Sequence, residues 1–211
     1  MKPTIAIIGG TGAEGTGLAL RFAHAGALVR IGSRDAERAR ATAQRVQEIA
    51  HAIDVEGYAN ADAVSGASVV VLAVPFEAQA ETLQSIAPNL QPGTVLVDAT
   101  VQLNAAGAEA SALQAARLAP EGVAVAAAFH TLGAALLADL DHSIDSDVLI
   151  CSDNPEARRV ASELVAMLPG ARAVDAGPLK NGRLVENLVP LLIAVNRRHK
   201  VKHAGIRITG I

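Results

Sequence analysis

Six residues near the start of the chain form a glycine pattern that can bind phosphate groups. They follow a short apolar run and read Gly10, Thr11, Gly12, Ala13, Glu14 and Gly15. A strand that turns through such glycines into a helix presents free N–H groups and the positive end of the helix dipole to a pyrophosphate. Gly10 would permit the tight turn, Gly12 would let the phosphate approach the backbone, and Gly15 would let helix and strand pack closely. The pattern predicts a dinucleotide site, with a plain glycine-rich turn as the alternative.

Cationic and hydroxyl side chains after the second apolar run indicate which dinucleotide is bound. Sites for NAD place an acidic residue about 20 residues after the glycines, where it binds the ribose hydroxyls. Here Ser33 and Arg34 stand instead, with Arg34 at 34 − 15 = 19 residues after Gly15, and Arg38 one helical turn further on. A guanidinium at this position suits the 2′-phosphate of NADP, whereas Asp35 is expected to cap the next helix. We therefore favour NADP(H), with a solvated arginine cluster as the alternative.

Three further positions come directly after predicted strands, at the edge where parallel sheets bind ligands. Val74 and Val101 are expected to supply backbone and apolar wall there. His130 follows the apolar run at 123–129 and could donate a proton or a hydrogen bond to a bound ring. A structural histidine with its hydrogen bonds satisfied inside the protein is the alternative. Glu14 is unusual beside phosphates, so its carboxylate is expected to point away from the ligand.

The elements that must position these residues alternate between strands and helices. Uniformly apolar strands are predicted at 4–8, 28–31, 68–74, 94–97, 123–128, 148–151 and 173–174. Helices are predicted between them, and one long helix at 179–198. Strands without polar alternation are typical of a parallel sheet that helices cover on both faces. The predicted fold is α/β, a Rossmann-type doubly wound sheet at 1–128 with a small C-terminal α+β unit at 129–211.

Composition excludes several other classes of protein. The chain has 211 residues, a formal net charge of −3 and 2% aromatic residues, which argues against nucleic-acid binding. No apolar run approaches the ~20 residues of a membrane helix, and no secretory leader is recognisable, so a cytoplasmic location is expected. Cys151 is the single cysteine and is predicted to be a core residue. No residue pattern typical of a metal site is found.

Segments along essentially the whole chain resemble the NADPH:coenzyme F420 oxidoreductases, also called F420-dependent NADP reductases. The residues that carry the resemblance are Gly9 to Gly12, Gly32 to Arg34, His130 and Thr131, Asp175 to Leu179, Asn181, Arg183 to Glu186, Pro190 and Leu191. The resemblance implies a Rossmann domain, a small C-terminal unit that completes the second-substrate site, and a homodimer. It also implies hydride exchange between NADP(H) and the deazaflavin of coenzyme F420.

The resemblance also implies residue roles by position. NADP contacts fall on Thr11, Gly12, Ala13, Glu14, Ser33, Arg34, Arg38, Val74, Val101 and Ala134. The deazaflavin pocket falls on His130, Leu132, Ala204, Gly205 and Ile206. Members of the family carry small hydroxyl residues where this chain has Asn187 and Val189. An NADPH-dependent reductase of a flavin or ferric acceptor and a non-catalytic NADP(H) sensor are the alternative functions.

A basic segment lies near the C-terminus, and two interpretations of it stay open. It contains Arg197, Arg198, His199, Lys200, Lys202, His203 and Arg207. These charges could attract the anionic phosphate-and-glutamate tail of the deazaflavin. They could also simply complement the negative end of a helix dipole.

Overall fold

A computed structural model of the chain describes residues 3–103 and 107–211. The main sheet has six parallel strands in the order β3-β2-β1-β4-β5-β6. Their bounds are β1 (Thr4–Ile8), β2 (Leu28–Ser33), β3 (Val55–Ala59), β4 (Val69–Leu72), β5 (Val95–Asp98) and β6 (Ala124–Ala127). The order reverses between β1 and β4, and ligands bind at such a switch point in open α/β sheets. The predicted doubly wound Rossmann-type sheet is confirmed.

Helices cover both faces of this sheet and complete the core. Their bounds are α1 (Ala13–His24), α2 (Ala36–Ala50), α3 (Asn60–Val64), α4 (Phe76–Ile86), α5 (Ser111–Leu118), α6 (Ala134–Ala138), α7 (Pro155–Ala166), α8 (Gly182–Glu186) and α9 (Leu188–His199). Alternate residues of β1 point into two different apolar clusters. Ile5 and Ile7 belong to one cluster, and Ala6 and Ile8 to the other. Both faces of the strand are therefore buried, which explains its uniformly apolar sequence.

Strand β3 and helix α3 were not predicted from the sequence. Glu56 and Gly57 interrupt the apolar pattern of this edge strand, and both residue types are depleted in strands. The structure gives a reason for the glycine, because a Cβ at Gly57 would lie 2.3 Å from the backbone of Ala39 and Arg40. Helix α2 thus packs directly on the backbone of β3, and this contact needs a residue without a side chain.

The C-terminal part adds two parallel strands, β7 (Asp147–Ile150) and β8 (Arg172–Asp175), connected through α7. A single antiparallel bridge between Ala127 and Cys151 joins them to the end of β6. Both apolar clusters contain residues from before and after position 128, such as Ile5 with Ile150 and Leu96 with Val174. The two parts therefore share their cores, and a division at 128/129 stays a prediction.

The prediction of one long helix at 179–198 was wrong. A 3₁₀ turn at Leu179–Asn181 leads into the short helix α8, and α9 begins after Asn187. Pro190 accounts for the break, because it has no N–H to donate to Glu186, four residues earlier, and its ring crowds that carbonyl. Among the described residues, no helix combines the length and hydropathy needed to span a bilayer.

Candidate functional site

The turn after β1 has its left-handed residue at Gly9, one position before the glycine that was expected to permit the tight turn. Gly9 has φ +83°, and a Cβ there would lie 2.4 Å from the carbonyl oxygen of Ala73. Gly10 instead lies against β2, where a Cβ would meet Ile31 Cγ2 at 2.9 Å. The role of turning residue assigned to Gly10 therefore belongs to Gly9, because only glycine adopts this conformation without strain.

The other two glycines open the way to the first turn of α1. A Cβ at Gly15 would lie 2.5 Å from the carbonyl oxygen of Gly9, so the helix packs against the turn itself. Gly12 is exposed, and a Cβ there would meet only the oxygen of Gly9, at 3.3 Å. A group outside the protein can thus approach the backbone at Gly12, as the glycine pattern requires.

The N-terminus of α1 has no side-chain cap. Gly12 is its N-cap residue and supplies no side-chain acceptor. By contrast, Asp35 accepts hydrogen bonds from two N–H groups of α2, as predicted, and Asn154 does the same for α7. The first N–H groups of any helix have no acceptor within the helix. Those of α1 are therefore available to an anionic ligand.

A cleft of about 320 Å³ connects this turn with the end of β2. Its walls are formed by Gly9, Thr11, Gly12, Ser33, Arg34, Asp35, Arg38, Asn60, Ala73, Val74, Pro75, Ala78 and Thr82. Arg34 and Arg38 are exposed, and neither guanidinium has a hydrogen bond or ion pair within residues 3–103 and 107–211. Asp35 also lines the cleft, but its Oδ1 accepts hydrogen bonds from the backbone N–H groups of Glu37 and Arg38, and it forms no ion pair with either guanidinium in the described chain. The cleft therefore combines free helix N–H groups at one end with two unpaired cations at the other.

Asn60 is a cleft residue that the sequence did not reveal. Its side-chain oxygen is buried and has no hydrogen-bond partner in the described part of the chain. A buried polar atom without a partner is costly, so its presence in a cleft points to a ligand or water that binds there. Because Asn60 begins α3, its position depends on the edge strand β3, which the sequence analysis missed.

The remaining predicted contacts lie outside this cleft. Val101 follows β5, the neighbour of β4, and His130 follows β6, the next strand along the sheet, so both lie beyond the carboxyl ends of their strands. Val101 and Ala134 are half-buried, and neither lines the cleft. These residues therefore mark the continuation of the same sheet edge away from the arginines.

His130 is held in the interior, beside the backbone of Thr100. It is 5% exposed, and neither ring nitrogen has a hydrogen-bond partner among the residues that the structure describes. Burial lowers the pKa of His130 to about 4, so the imidazole is neutral at physiological pH. The backbone of Thr100 opposes this shift in part, and the alternative of a structural histidine stays open. A neutral imidazole can still donate one hydrogen bond and accept another.

The residue before His130 has an unusual backbone. Phe129 is fully buried and adopts φ +73°, a region that bulky residues rarely occupy. Its ring makes an edge-to-face contact with Phe22, with centroids 6.2 Å apart. Strain of this kind persists only where packing enforces it, and it is concentrated at functional sites. Here it sets the direction of the chain that carries His130.

Two buried carboxyl groups lie below the glycine turn. Burial raises the pKa of Glu14 to about 8, and the nearby Asp98 raises it further. Burial also raises the pKa of Asp98 to about 6, although hydrogen bonds from Thr100, Ser111 and Gln79 oppose this. Oε1 of Glu14 has no partner in the described structure, and Glu14 does not line the cleft. The expectation that its carboxyl group points away from the cleft agrees with this geometry.

The C-terminal segment from Arg183 to Glu186 is anchored by the buried carboxylate of Glu186. Glu186 is 1% exposed and accepts hydrogen bonds from the backbone N–H of Gln102 at 3.0 Å and of Ser111 at 2.8 Å. Arg183 donates to the same carboxylate at 3.0 Å and to the carbonyl of Gln102 at 2.8 Å. This network fixes the backbone that follows Val101 and binds the C-terminal segment to the sheet edge.

The predicted second-substrate residues occupy two neighbouring segments. Leu132 is buried just after His130, and the next residue, Gly133, packs against the carbonyl of Lys202, which a Cβ would meet at 2.9 Å. The N–H of Ala204 donates to Asn196 Oδ1. Ile206 exchanges hydrogen bonds with the Ser146 hydroxyl, and its carbonyl accepts one from the N–H of Asp147 at the start of β7. Gly205 lies against the Ser146 side chain, where a Cβ would meet Oγ at 2.5 Å.

The single cysteine and possible metal ligands are the remaining candidates for chemistry. Cys151 is fully buried, and burial raises the pKa of its thiol to about 11. A thiol of this kind is unreactive, as expected of a core residue. Within the two described ranges, no group of three or more histidine, cysteine, aspartate or glutamate residues could hold a metal ion.

The parallel sheet, the left-handed Gly9 and the uncapped helix beside two unpaired arginines define a Rossmann-type nucleotide-binding protein. Residues 4–102 match the family described as NADP oxidoreductase, coenzyme F420-dependent. Together with the full-length relatives described next, this match shows that the chain belongs to the F420-dependent NADP reductase family, which confirms the resemblance found in the sequence.

Comparisons over the full length support this membership. The F420-dependent NADP reductase of Methanothermobacter thermautotrophicus is 47% identical, over 100% of this chain and 97% of that protein. The F420-dependent NADP reductase of Methanocaldococcus jannaschii is 35% identical over 98% of both chains. A crystal structure from Arthrobacter sp. FB24, assigned as an F420-dependent NADP reductase, has a TM-score of 0.83 and 26% identity, and covers 99% of this chain and 100% of its own.

The buried acid at Glu14 predicts a pH-dependent stability. Glu14 keeps its proton up to about pH 8 in the folded protein, against an ordinary pKa of 4.5. Between these values the folded state binds more protons than the unfolded state, so stability falls as pH rises. Glu14→Gln removes this loss. Urea unfolding should show that the variant gains stability over the wild type by up to about 1.4 kcal/mol per pH unit from pH 5 to 8.

The matched control is Glu77→Gln, at an exposed position in the first turn of α4. Its difference from the wild type should not grow over the same pH range, because this side chain stays in water in both states. A Glu14→Gln difference that is constant from pH 5 to 8 would contradict the assignment of a buried neutral acid.

Proposed function

We propose that this chain transfers a hydride between NADP(H) and the deazaflavin coenzyme F420. The observation that carries the proposal is the 47% identity over the whole chain to an F420-dependent NADP reductase. The cleft supports it, because its two unpaired guanidiniums provide what a 2′-phosphate needs. Hydride exchange between a nicotinamide and a deazaflavin is chemistry that the two ring systems supply when bound.

The residues of the glycine turn and cleft fit the dinucleotide. The free N–H groups of α1 and the open backbone at Gly12 would hold the pyrophosphate. Arg34, Arg38 and the hydroxyl of Ser33 would hold the 2′-phosphate, and Asn60 lines the same cleft. The full set of proposed contacts is Gly10, Thr11, Gly12, Ala13, Glu14, Gly15, Ser33, Arg34, Arg38, Val74, Val101 and Ala134.

The residues beyond the strand ends would align the second ring. His130 is neutral and has both ring nitrogens free of partners in the described structure, so it is suited to orient a bound ring by hydrogen bonding. Leu132 and the segment from Ala204 to Ile206 would complete the pocket. Alignment of two rings and exclusion of water account for catalysis without a nucleophile or metal. In this division residues 1–128 bind NADP(H), and residues 129–211 complete the acceptor site.

The protein is proposed to act as a homodimer. Helix α9 is rich in Leu, Val and Ile, yet none of its residues is buried. Leu191 is 59% exposed, and Leu184 in α8 is 64% exposed. Large exposed apolar side chains are typical of an interface between subunits.

The cytoplasmic location stays a prediction, which cell fractionation tests.

Rapid mixing of NADPH with oxidised F420 tests the proposed reaction. The deazaflavin absorbance should fall together with the NADPH absorbance, in equal amounts, because one hydride passes between the two rings. Rapid reduction of free flavin or a ferric chelate with no change in F420 would favour the alternative reductase. Binding of NADPH without oxidation by any acceptor would favour a sensor.

The assignment of the 2′-phosphate site predicts a selective loss of affinity. Arg34→Ala should weaken NADPH binding at least tenfold and NADH binding much less, because a charge-assisted contact contributes roughly 1.5–3 kcal/mol. Arg45→Ala removes an exposed arginine of α2 that does not line the cleft, and it should leave the preference for NADPH unchanged. Equal losses for both dinucleotides in Arg34→Ala would show that Arg34 does not contact the 2′-phosphate.

The interface proposal predicts the mass in solution. The wild type should have the mass of a dimer by light scattering after gel filtration, and Leu191→Asp should shift it to a monomer, because a buried charge is costly. Ile53→Asp is the control, since Ile53 is 86% exposed and lies far along the chain from α9. A monomeric wild type at micromolar concentration would contradict the proposal.

A further inference from the structure

A second cavity, of about 500 Å³, lies apart from the dinucleotide cleft. One side is formed by Ala135 and Leu136 of α6, and the other by the chain from Lys200 to His203 that follows α9. The close contact of Gly133 with the carbonyl of Lys202 joins the two sides. None of the cavity residues belongs to the cleft with Arg34 and Arg38.

The charges in this cavity are predominantly positive. Lys200, Lys202 and His203 are exposed, and none of the three has an ion pair or side-chain hydrogen bond within the described chain. Asp139 is the acidic residue of the wall, and it pairs with His142 at 2.8 Å. This contact raises the pKa of His142 and lowers that of Asp139, because each charged form stabilises the other. The ion-pair partner of Asp139 in the described chain is His142 and neither lysine.

The helix dipole accounts for only part of this basic segment. Helix α9 ends at His199, and its last turn contains Arg197, Arg198 and His199. Lys200 is the left-handed C-cap residue, with φ +55°, so it also lies at the negative end of the dipole. Lys202 lies beyond the cap, where the effect of the dipole has fallen off. Of the two interpretations of the basic segment, the helix end thus explains the arginines and the position of Lys200, whereas Lys202 needs another explanation.

The backbone around the lysines is well defined. The side chain of Asn196 accepts a hydrogen bond from the N–H of Ala204 at 2.9 Å, and its carbonyl accepts one from Val201 at 3.1 Å. The loop is therefore tied to α9 at two points. Held in this way, Lys200 and Lys202 flank a cavity of defined shape rather than extend from a free terminus.

The cavity begins where the proposed acceptor site ends. Ala135 and Leu136 follow directly after Leu132 and Ala134, which are the proposed contacts of the deazaflavin and of NADP. We propose that this cavity binds the anionic phosphate-and-glutamate tail of the deazaflavin substrate, through Lys200 and Lys202. The proposal rests on the proposed function, because that function supplies the ligand. A flexible polyanion suits lysines, which act as mobile point charges.

Calorimetric titration with two deazaflavins tests this proposal. One is F420, and the other is the same chromophore with its ribitol chain but without the phosphate and glutamates. The wild type should bind F420 at least tenfold more tightly. In Lys200→Ala/Lys202→Ala this preference should fall at least tenfold, and added salt should reduce the wild-type preference, because exposed charges are screened.

Arg197→Ala/Arg198→Ala is the matched control, because it removes two charges from the adjacent helix turn but none from the cavity wall. Its preference for F420 should stay close to that of the wild type. Thermal melts of both double variants establish that each is folded. The single variant Lys202→Ala repeats the test without altering the left-handed residue.

Each other outcome has a distinct meaning. If the lysine variant kept the wild-type preference for F420, or if the arginine variant lost as much of that preference as the lysine variant, the proposed site for the anionic tail would be overturned. A wild type that binds both deazaflavins equally would also overturn it while leaving the proposed function intact. A wild type that binds neither would contradict the proposed function itself.

Discussion

The dinucleotide cleft is defined by positive groups without partners that lie together at one edge of the parallel sheet. The first N–H groups of α1 have no side-chain cap, and Arg34 and Arg38 have no partner in the described chain. Such groups would repel one another in a site without an anion, and a phosphorylated ligand compensates them together. The glycines serve this arrangement, because Gly9 turns the chain and Gly15 lets the helix approach the turn. The −3 charge of the whole chain shows that this positive potential is local.

The rest of the sheet edge is organised by buried polar groups. Glu14 and His130 are both neutral at physiological pH, because burial shifts their pKa values in opposite directions. Neither of these two side chains then adds a charge beside the bound molecules. Glu186 stays bound to two backbone N–H groups and to Arg183, and it fixes the chain after β5 from a distance of more than 70 residues. The C-terminal segment thus stabilises the backbone of the sheet edge after β5.

Local patterns in the sequence predicted the parts of the site that depend on neighbouring residues. The glycine turn, the arginines after β2 and the cap at Asp35 are of this kind, as are the buried strands. Features that depend on distant contacts were missed. Gly57 is explained only by the approach of α2, and the importance of Asn60 follows from that edge strand. Gly10 was expected to permit the tight turn, whereas the residue with positive φ is Gly9, which lies against the distant Ala73. The prediction of one long helix at 179–198 was wrong, because the apolar composition of the segment was given more weight than Pro190, a local signal for a helix break.

Titration calorimetry of the wild-type protein with NADP⁺ and with NAD⁺ tests the central claim most directly. The claim is that the guanidiniums beyond β2 recognise the phosphate on the adenosine ribose. One charge-assisted contact contributes roughly 1.5–3 kcal/mol, which corresponds to a tenfold or greater preference. NADP⁺ should therefore bind at least tenfold more tightly than NAD⁺. Equal affinities, tighter binding of NAD⁺, or no binding of either would contradict the account.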